Sequence, residues 1–322
     1  MKLNVLITGG AGFIGSHLVD TFITKGANVC VIDDLSSGRL ENIKRWLKMP
    51  HFTFVCSNLL KHNNLSKIVR NYEILFHLAA NPEVRVGLMS PNIHFNQNVV
   101  ATFKLLEAIR KSDNVKVFLF TSSSTVYGEA SYIPTPESYA PLKPISVYGA
   151  TKLACEALLT AYSHTYGFRA IIYRLANVIG PRSTHGVLYD FIQKLRRNPK
   201  ELEILGDGTQ TKSYLHVTDC IKAMLVGLEK SRKPIEIFNV GSEDQIDVKT
   251  IAKIVIEEMA LQGVKIIFTG GIEGKGWKGD VKNMLLDISK LKTLGWKPEL
   301  NSEQAVRQTT REILDTASIG MK

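Results

Sequence analysis

Val5-Leu6-Ile7-Thr8-Gly9-Gly10-Ala11-Gly12-Phe13-Ile14-Gly15-Ser16-His17-Leu18 reads as a short strand, a glycine turn and the start of a helix. Glycine recurs at 9, 12 and 15. A glycine turn between strand and helix lets the backbone approach a pyrophosphate with no Cβ in the way. The helix that follows points its first N–H groups and positive dipole end at that pyrophosphate. The stretch therefore predicts the first βα unit of a Rossmann-type sheet that holds a dinucleotide.

The spacing is Gly-x-x-Gly-x-x-Gly rather than Gly-x-Gly-x-x-Gly, and a tight turn with no ligand would be written in similar letters. The second strand decides. Asn28-Val-Cys-Val-Ile32 ends in Asp33, where an acid bonds the ribose hydroxyls of NAD and repels the 2′-phosphate of NADP. NAD is the expected cofactor. Asp34 is a candidate by adjacency alone, or else a loop acid.

The chain of 322 residues is long enough for a sizeable core and two lobes. Its 44% hydrophobic and 22% charged content is that of a globular protein. No apolar run approaches the ~20 residues of a membrane helix, and no charged-then-apolar leader opens it. A cytoplasmic location is expected, with no membrane partner. Cys30, Cys56, Cys155 and Cys220 are scattered, which points to buried thiols and to no metal site. The net charge of +10 is dispersed, even around Lys194-Leu-Arg196-Arg197-Asn-Pro-Lys200. A solvated surface, or a basic cleft for an anionic substrate, accounts for it without a nucleic-acid partner.

Strands are expected at Leu3–Thr8, Asn28–Asp33, Phe52–Cys56, Ile74–Leu78, Lys116–Thr121 and Arg169–Leu175, with helices between. This alternation predicts an α/β fold, a doubly wound parallel sheet. Residues 1–176 form the expected NAD-binding domain, with a strand near 235–240 returning to its sheet. Residues 177–322, richer in Gly-Pro punctuation, form the expected smaller C-terminal substrate lobe. Helical patterns at 92–111 and 147–166 carry apolar stripes that suit either the core or a two-fold dimer seam.

Tyr148-Gly-Ala-Thr-Lys152 places a phenol and an ammonium on one helix face. A nearby ammonium favours the phenolate, so Lys152 is expected to lower Tyr148 and make it a general base. On spacing alone, a surface tyrosine beside a surface lysine is the better reading, and it is the serine run before it that tips the balance. Thr121-Ser122-Ser123-Ser124-Thr125-Val126-Tyr127-Gly128, at a strand end, adds hydroxyls that could hold a sugar hydroxyl or a carbonyl.

With glycine turn, serine run and Tyr-x-x-x-Lys in this order, the chain resembles the extended short-chain dehydrogenase/reductase family. It is most similar to the nucleotide-sugar 4-epimerases of the UDP-glucose (UDP-galactose) 4-epimerase type. Further matches are Asp33-Asp34-Leu-Ser-Ser37-Gly38, Phe76-His-Leu78-Ala79-Ala80, Asn96-Gln-Asn98-Val-Val-Ala-Thr102, Tyr173-Arg-Leu-Ala-Asn177, Gly206-Asp-Gly-Thr-Gln210, Asn239-Val-Gly241, Gly279-Asp280-Val281 and Leu294-Gly-Trp-Lys-Pro298.

The resemblance implies that Tyr148 is the acid/base, that Lys152 holds the nicotinamide ribose and that Ser123 is the catalytic hydroxyl. It places Gly9, Gly12, Phe13, Ile14, Gly15, Asp33, Asp34, Ser37, Gly38, Asn58, Leu59, Leu78, Ala79, Ala80 and Asn98 along NAD. It places Ser123, Tyr148, Asn177, Lys212 and Met284 at the nucleotide sugar. Departures are visible. Asn58 replaces an aspartate. Lys212-Ser213 replaces Arg-Asp, turning a bidentate phosphate clamp into a point charge. Trp277 and Lys278 stand where a second phosphate arginine is usual, with Lys275 nearby.

The expected reaction is NAD-dependent epimerisation at C4 of UDP-glucose or UDP-galactose through a 4-keto sugar. A 4,6-dehydratase would need an Asp-Glu pair where Ser124-Thr125 stand. A UDP-glucuronate enzyme would carry Arg-Pro-Asp-Met where Arg182-Ser-Thr-His-Gly186 stand. Met284 falls where strict glucose/galactose enzymes carry a bulky tyrosine, so N-acetylated sugars (UDP-GlcNAc or UDP-GalNAc) are an alternative. A basic NAD-linked or RNA-binding regulator is the non-enzymatic reading, and the complete Ser123, Tyr148 and Lys152 set argues against it.

Overall fold

The computed structural model describes residues 2–271 and 273–319, the side chains of 316–319 excepted. The strands β1 (Asn4–Thr8), β2 (Asn28–Asp33), β3 (Phe52–Cys56), β4 (Ile74–His77), β5 (Val117–Ser123) and β6 (Arg169–Leu175) are joined at the edge by the strand Ile235–Val240. They make one seven-stranded sheet in the order Ile235–Val240, β6, β5, β4, β1, β2, β3. β1 runs parallel to β2 and β4, β2 to β3, and β4 to β5. The order reverses at β1 and β4. Ligands of doubly wound sheets bind beyond the strand ends at such a switch point.

The apolar runs explain the sheet. Leu6, Ile32, Leu75, Phe118, Phe120 and Ile172 are buried and pack with Leu105, Leu106 and Ile109 of the helix Ala101–Arg110 and with Leu159 of the helix Val147–Tyr166. Each such side chain, fully buried, contributes about 1.5–3 kcal/mol. The region 92–111, expected as one regular helix, instead opens with Pro91–His94 and a π-helical turn over Phe95–Val100. The wide turn coincides with the buried amide of Asn98, which bonds out of the helix at both ends.

The chain folds into two compact units, both discontinuous in sequence. The first comprises residues up to Val126, Val147–Arg174 and Met224–Phe238. The second comprises Tyr127–Ser146, Leu175–Ala223 and the chain from Asn239 onward. A single cut at 176 does not describe this partition. The proline-bearing segment 127–146 joins the second unit because Thr135 N donates to Leu285 O at 2.9 Å and Asp287 N to Thr135 O at 2.9 Å. Met224 onward joins the first because the helix Val217–Lys230 leads into the sheet's edge strand. The end of the expected C-terminal lobe, 320–322, lies outside the described residues.

The second unit has its own core. Leu188, Phe191, Ile192 and Leu195, at helical spacing, pack with Ile251, Ala252 and Val255 and with Ala305 and Val306. Its short strands include Asn177–Ile179 beside Tyr214–His216, and Asn283–Met284 beside Thr211–Lys212. Among the described residues, no helix is long and apolar enough to cross a membrane.

Candidate active site

The glycine turn sits at the switch point. Gly9 has φ +73°, and a Cβ there would lie 2.7 Å from Ala79 N, at the end of β4. At Gly15 a Cβ would lie 2.1 Å from Gly9 O. Glycine is therefore required at both positions by contact. Gly12 caps the helix Phe13–Thr24 with no side-chain bond to its amides. Phe13, Ile14 and Gly15 stand in the first turn, ahead of the bond from Ser16 N to Gly12 O at 3.1 Å. That is a cradle for a pyrophosphate, and the residues present fit a dinucleotide.

Asp33 ends β2, buried. Its Oδ2 accepts from Ala11 N and its Oδ1 from Leu35 N, each at 2.9 Å. Burial raises its carboxyl above the ordinary value, against these backbone bonds. Gly38 packs against it: a Cβ there would lie 2.9 Å from Asp33 Oδ1. Asp33 thus ties the glycine turn to the loop holding the exposed Ser37. Asp34 is exposed. Partial burial raises its carboxyl, but bonds from Ser36 and Asn58 outweigh that and lower it. Asn58 Nδ2 donates to Asp34 Oδ2 at 2.6 Å, so the amide that replaces the usual acid bridges to the neighbouring acid. Leu59 is buried beside it. After β4, Leu78 N donates to Thr8 O at 3.0 Å, and half-buried Ala79 and Ala80 follow. Asn98 Oδ1 accepts from Asn81 N and its Nδ2 donates to Thr151 Oγ1, both at 3.0 Å.

The end of β5 meets one face of the helix Val147–Tyr166. The Tyr148 phenol faces the Ser123 hydroxyl, which acts to lower it. Ser123 Oγ accepts from Thr125 N at 3.2 Å and Thr125 Oγ1 at 3.0 Å. Lys152, 3% exposed, donates from Nζ to Thr121 O at 2.8 Å and lies 5.7 Å from the Tyr148 ring centre. All three expected catalytic residues are brought together here. The expected lowering of Tyr148 by Lys152 is corrected. Burial pushes Tyr148 up to about 12, and the Ser123 hydroxyl only partly opposes it. Burial brings Lys152 down to about 8, against Cys155 and Glu156.

Asn177, Lys212 and Met284 belong to the second unit. Asn177 Nδ2 donates to Ser213 O at 3.2 Å. Lys212 pairs with Met284 in strand register, and Met284 is buried. Lys212 Nζ is held by Asp280 Oδ1 at 2.6 Å and faces the Trp277 ring at 5.7 Å. A phosphate at Lys212 would share it with that carboxylate.

Sequence reading missed several residues around these groups. His77, fully buried, joins Thr8 Oγ1 at 2.7 Å and Thr102 Oγ1 at 2.9 Å. His94, also buried, sets its ring edge-on to Tyr148 with centroids 5.6 Å apart. Glu156 forms a buried ion pair with Arg174 at 2.7 Å and accepts from the Ser122 hydroxyl. The spacing Tyr148, Lys152, Glu156 was the available signal for the last.

Comparison with known proteins places this geometry. The family model described as NAD dependent epimerase/dehydratase family matches residues 5–241. A crystal structure of UDP-galactose 4-epimerase is similar at 44% identity, TM-score 0.86, covering 98% of this chain and 99% of that one. UDP-glucose 4-epimerase from Thermotoga maritima, solved with UDP-glucose, is similar at 33% identity and TM-score 0.87, covering 98% and 100%. UDP-glucuronic acid 4-epimerase from Bacillus cereus, solved with UDP-glucuronic acid and NAD, is similar at 29% identity and TM-score 0.89, covering 98% and 100%.

Proposed function

The chain belongs to the NAD dependent epimerase/dehydratase family, and on that premise we propose that it is a UDP-sugar 4-epimerase interconverting UDP-glucose and UDP-galactose. The observation that carries the reading is the set at the end of β5: Ser123 facing Tyr148, with buried Lys152 beside them. The glycine turn, the first-turn amides of Phe13–Gly15 and Asp33 would hold NAD. Bound there, NAD would accept the hydride of C4 and return it, so that nothing is oxidised overall. Ser123 would hold O4 by hydrogen bond. Tyr148 would take the O4 proton as the 4-keto sugar forms and give it back after the sugar turns. At about 12, the Tyr148 phenol keeps its proton at neutral pH, which suits the returning step. Charge brought in beside it would have to favour the phenolate for the first.

Asn177, Lys212 and Met284 would contact the nucleotide sugar. One observation favours a second substrate class: Met284 lies beside Lys212 in strand register, and a methionine side chain is more flexible and narrower than a tyrosine. N-acetylated sugars would then also enter. The test is a panel of nucleotide sugars with product analysis, the bound dinucleotide being identified after denaturation. UDP-glucose and UDP-galactose should interconvert. If both stay unchanged while another nucleotide sugar turns over, this substrate assignment is overturned.

Cytoplasmic location and homodimer assembly complete the proposal. The four cysteines are free thiols, as in a reducing compartment; Cys30, Cys155 and Cys220 are buried, whereas Cys56, expected to be buried, is exposed at the end of the edge strand β3. On the helical regions 92–111 and 147–166, Phe95, Phe103 and Tyr166 are exposed, a second apolar face suited to another copy of this chain.

A further inference from the structure

The last three residues of β5 each meet a different residue of one helix. Ser123 faces Tyr148, the Thr121 carbonyl accepts from Lys152 at 2.8 Å, and the Ser122 hydroxyl donates to Glu156. Residues 148, 152 and 156 are a helical turn apart and share one face. One face of the helix is thus tied to the end of the strand at Thr121 and Ser122.

Glu156 is the one of these three with no partner in the chemistry. Arg174, on β6, clamps its carboxylate through Nη2 to Oε2 at 2.7 Å and through Nε to Oε1 at 3.1 Å. The two side chains are 5% and 3% exposed. A buried ion pair gains little over well-packed apolar groups, because desolvation offsets the attraction. Its attested use is to fix one arrangement among several. Here three neighbouring segments meet at it: the catalytic helix, the catalytic strand end and β6.

We propose that Glu156, held by Arg174 and Ser122, is a positioning residue that fixes the helix Val147–Tyr166 against the end of β5 and so sets Tyr148 and Lys152 against Ser123. The catalytic meaning of that geometry rests on the epimerase reading. Glu156 also acts on charge. Its carboxylate, one turn from Lys152, favours the ammonium against the burial that brings it to about 8. The other titratable groups acting on Lys152 are Cys155 on its own helix, His77 at the end of β4 and His94 on the turn Pro91–His94. Both histidines are held below their ordinary value, chiefly by burial, and are neutral at neutral pH.

The test compares native enzyme with Glu156→Gln and Ser122→Ala. The readouts are NAD content after denaturation, kcat and KM separately, and an NMR titration of the Lys152 side chain assigned with Lys152→Arg. In E156Q, KM for the sugar holds, kcat falls about a hundredfold, as for a catalytic group displaced by about 1 Å, NAD content falls because the ammonium expected to hold the nicotinamide ribose is displaced, and Lys152 titrates lower than in native enzyme. S122A keeps both charges of the ion pair and shows a smaller loss in kcat at unchanged KM. It decides the matter if E156Q does not fold. Native kcat and native Lys152 titration in the folded variants would overturn the positioning role. If native protein converts no nucleotide sugar, the epimerase reading fails instead, and displaced Tyr148 and Lys152 side-chain resonances in S122A, which keeps both charges, still decide the positioning.

Discussion

Lys152 Nζ donates to the main-chain carbonyl of Thr121 at 2.8 Å, and this bond carries the ammonium into the interior beside Tyr148. Burial disfavours the charged form and lowers Lys152 to about 8. Raising the pH through that value removes the charge expected to hold the nicotinamide ribose. A profile of kcat/KM against pH should therefore fall on an alkaline limb near 8. Lys152→Met should abolish that limb along with most of the activity. A profile flat to pH 10 would disagree with this account of Lys152.

A Cβ at Gly15 would lie 2.1 Å from Gly9 O, so the turn cannot keep its shape around one. Gly15→Ala should leave purified protein with little bound dinucleotide. The readout is the absorbance of the supernatant after denaturation, set against native protein. Because the turn is built from backbone, added NAD should restore activity only at much higher concentration.

His77 supplies a pH dependence of stability. Burial and the Lys152 charge bring it from 6.5 to about 3. Between those values the unfolded chain binds a proton that the folded chain does not. Stability is therefore lost as pH falls through that window, by about 1.4 kcal/mol per pH unit while the difference persists. His77→Gln, which still offers a hydrogen-bond donor and acceptor, should flatten the fall in urea midpoint between pH 6 and 4. A variant as acid-sensitive as native protein would assign the effect elsewhere.

Much of this is legible in the sequence, and the reason is locality. β1 to β6 are apolar runs bounded by turn residues, and Tyr148 with Lys152 is a local helical spacing. The partners of the buried groups are not local. His77 bonds Thr8 across 69 positions, Glu156 bonds Arg174 across 18, and Lys212 meets Asp280 across 68. No periodicity announces such pairs. The same holds for Tyr148. Its i+4 lysine is visible in the sequence, but the burial that raises the phenol is not. The π-helical turn at Phe95–Val100 likewise follows from where Asn98 finds its partners.

Phe103 is 43% exposed and its ring lies edge-on to Tyr162 on the neighbouring helix, 6.3 Å away. The proposed dimer buries this face. Sedimentation should give about twice the 35.8 kDa chain mass for native protein. Phe103→Glu would place a charge in the seam and should shift the population to monomer. A monomeric native protein would remove the dimer from the account.

The most direct measurement follows one hydrogen atom. UDP-galactose carrying deuterium at C4 is incubated with the enzyme, and the products are read by mass and NMR. The account predicts UDP-glucose that keeps its deuterium at C4, no accumulating NADH, and a rate reduced about 10²–10⁴-fold in Tyr148→Phe. Deuterium lost to solvent, or UDP-galactose recovered unchanged, would contradict it.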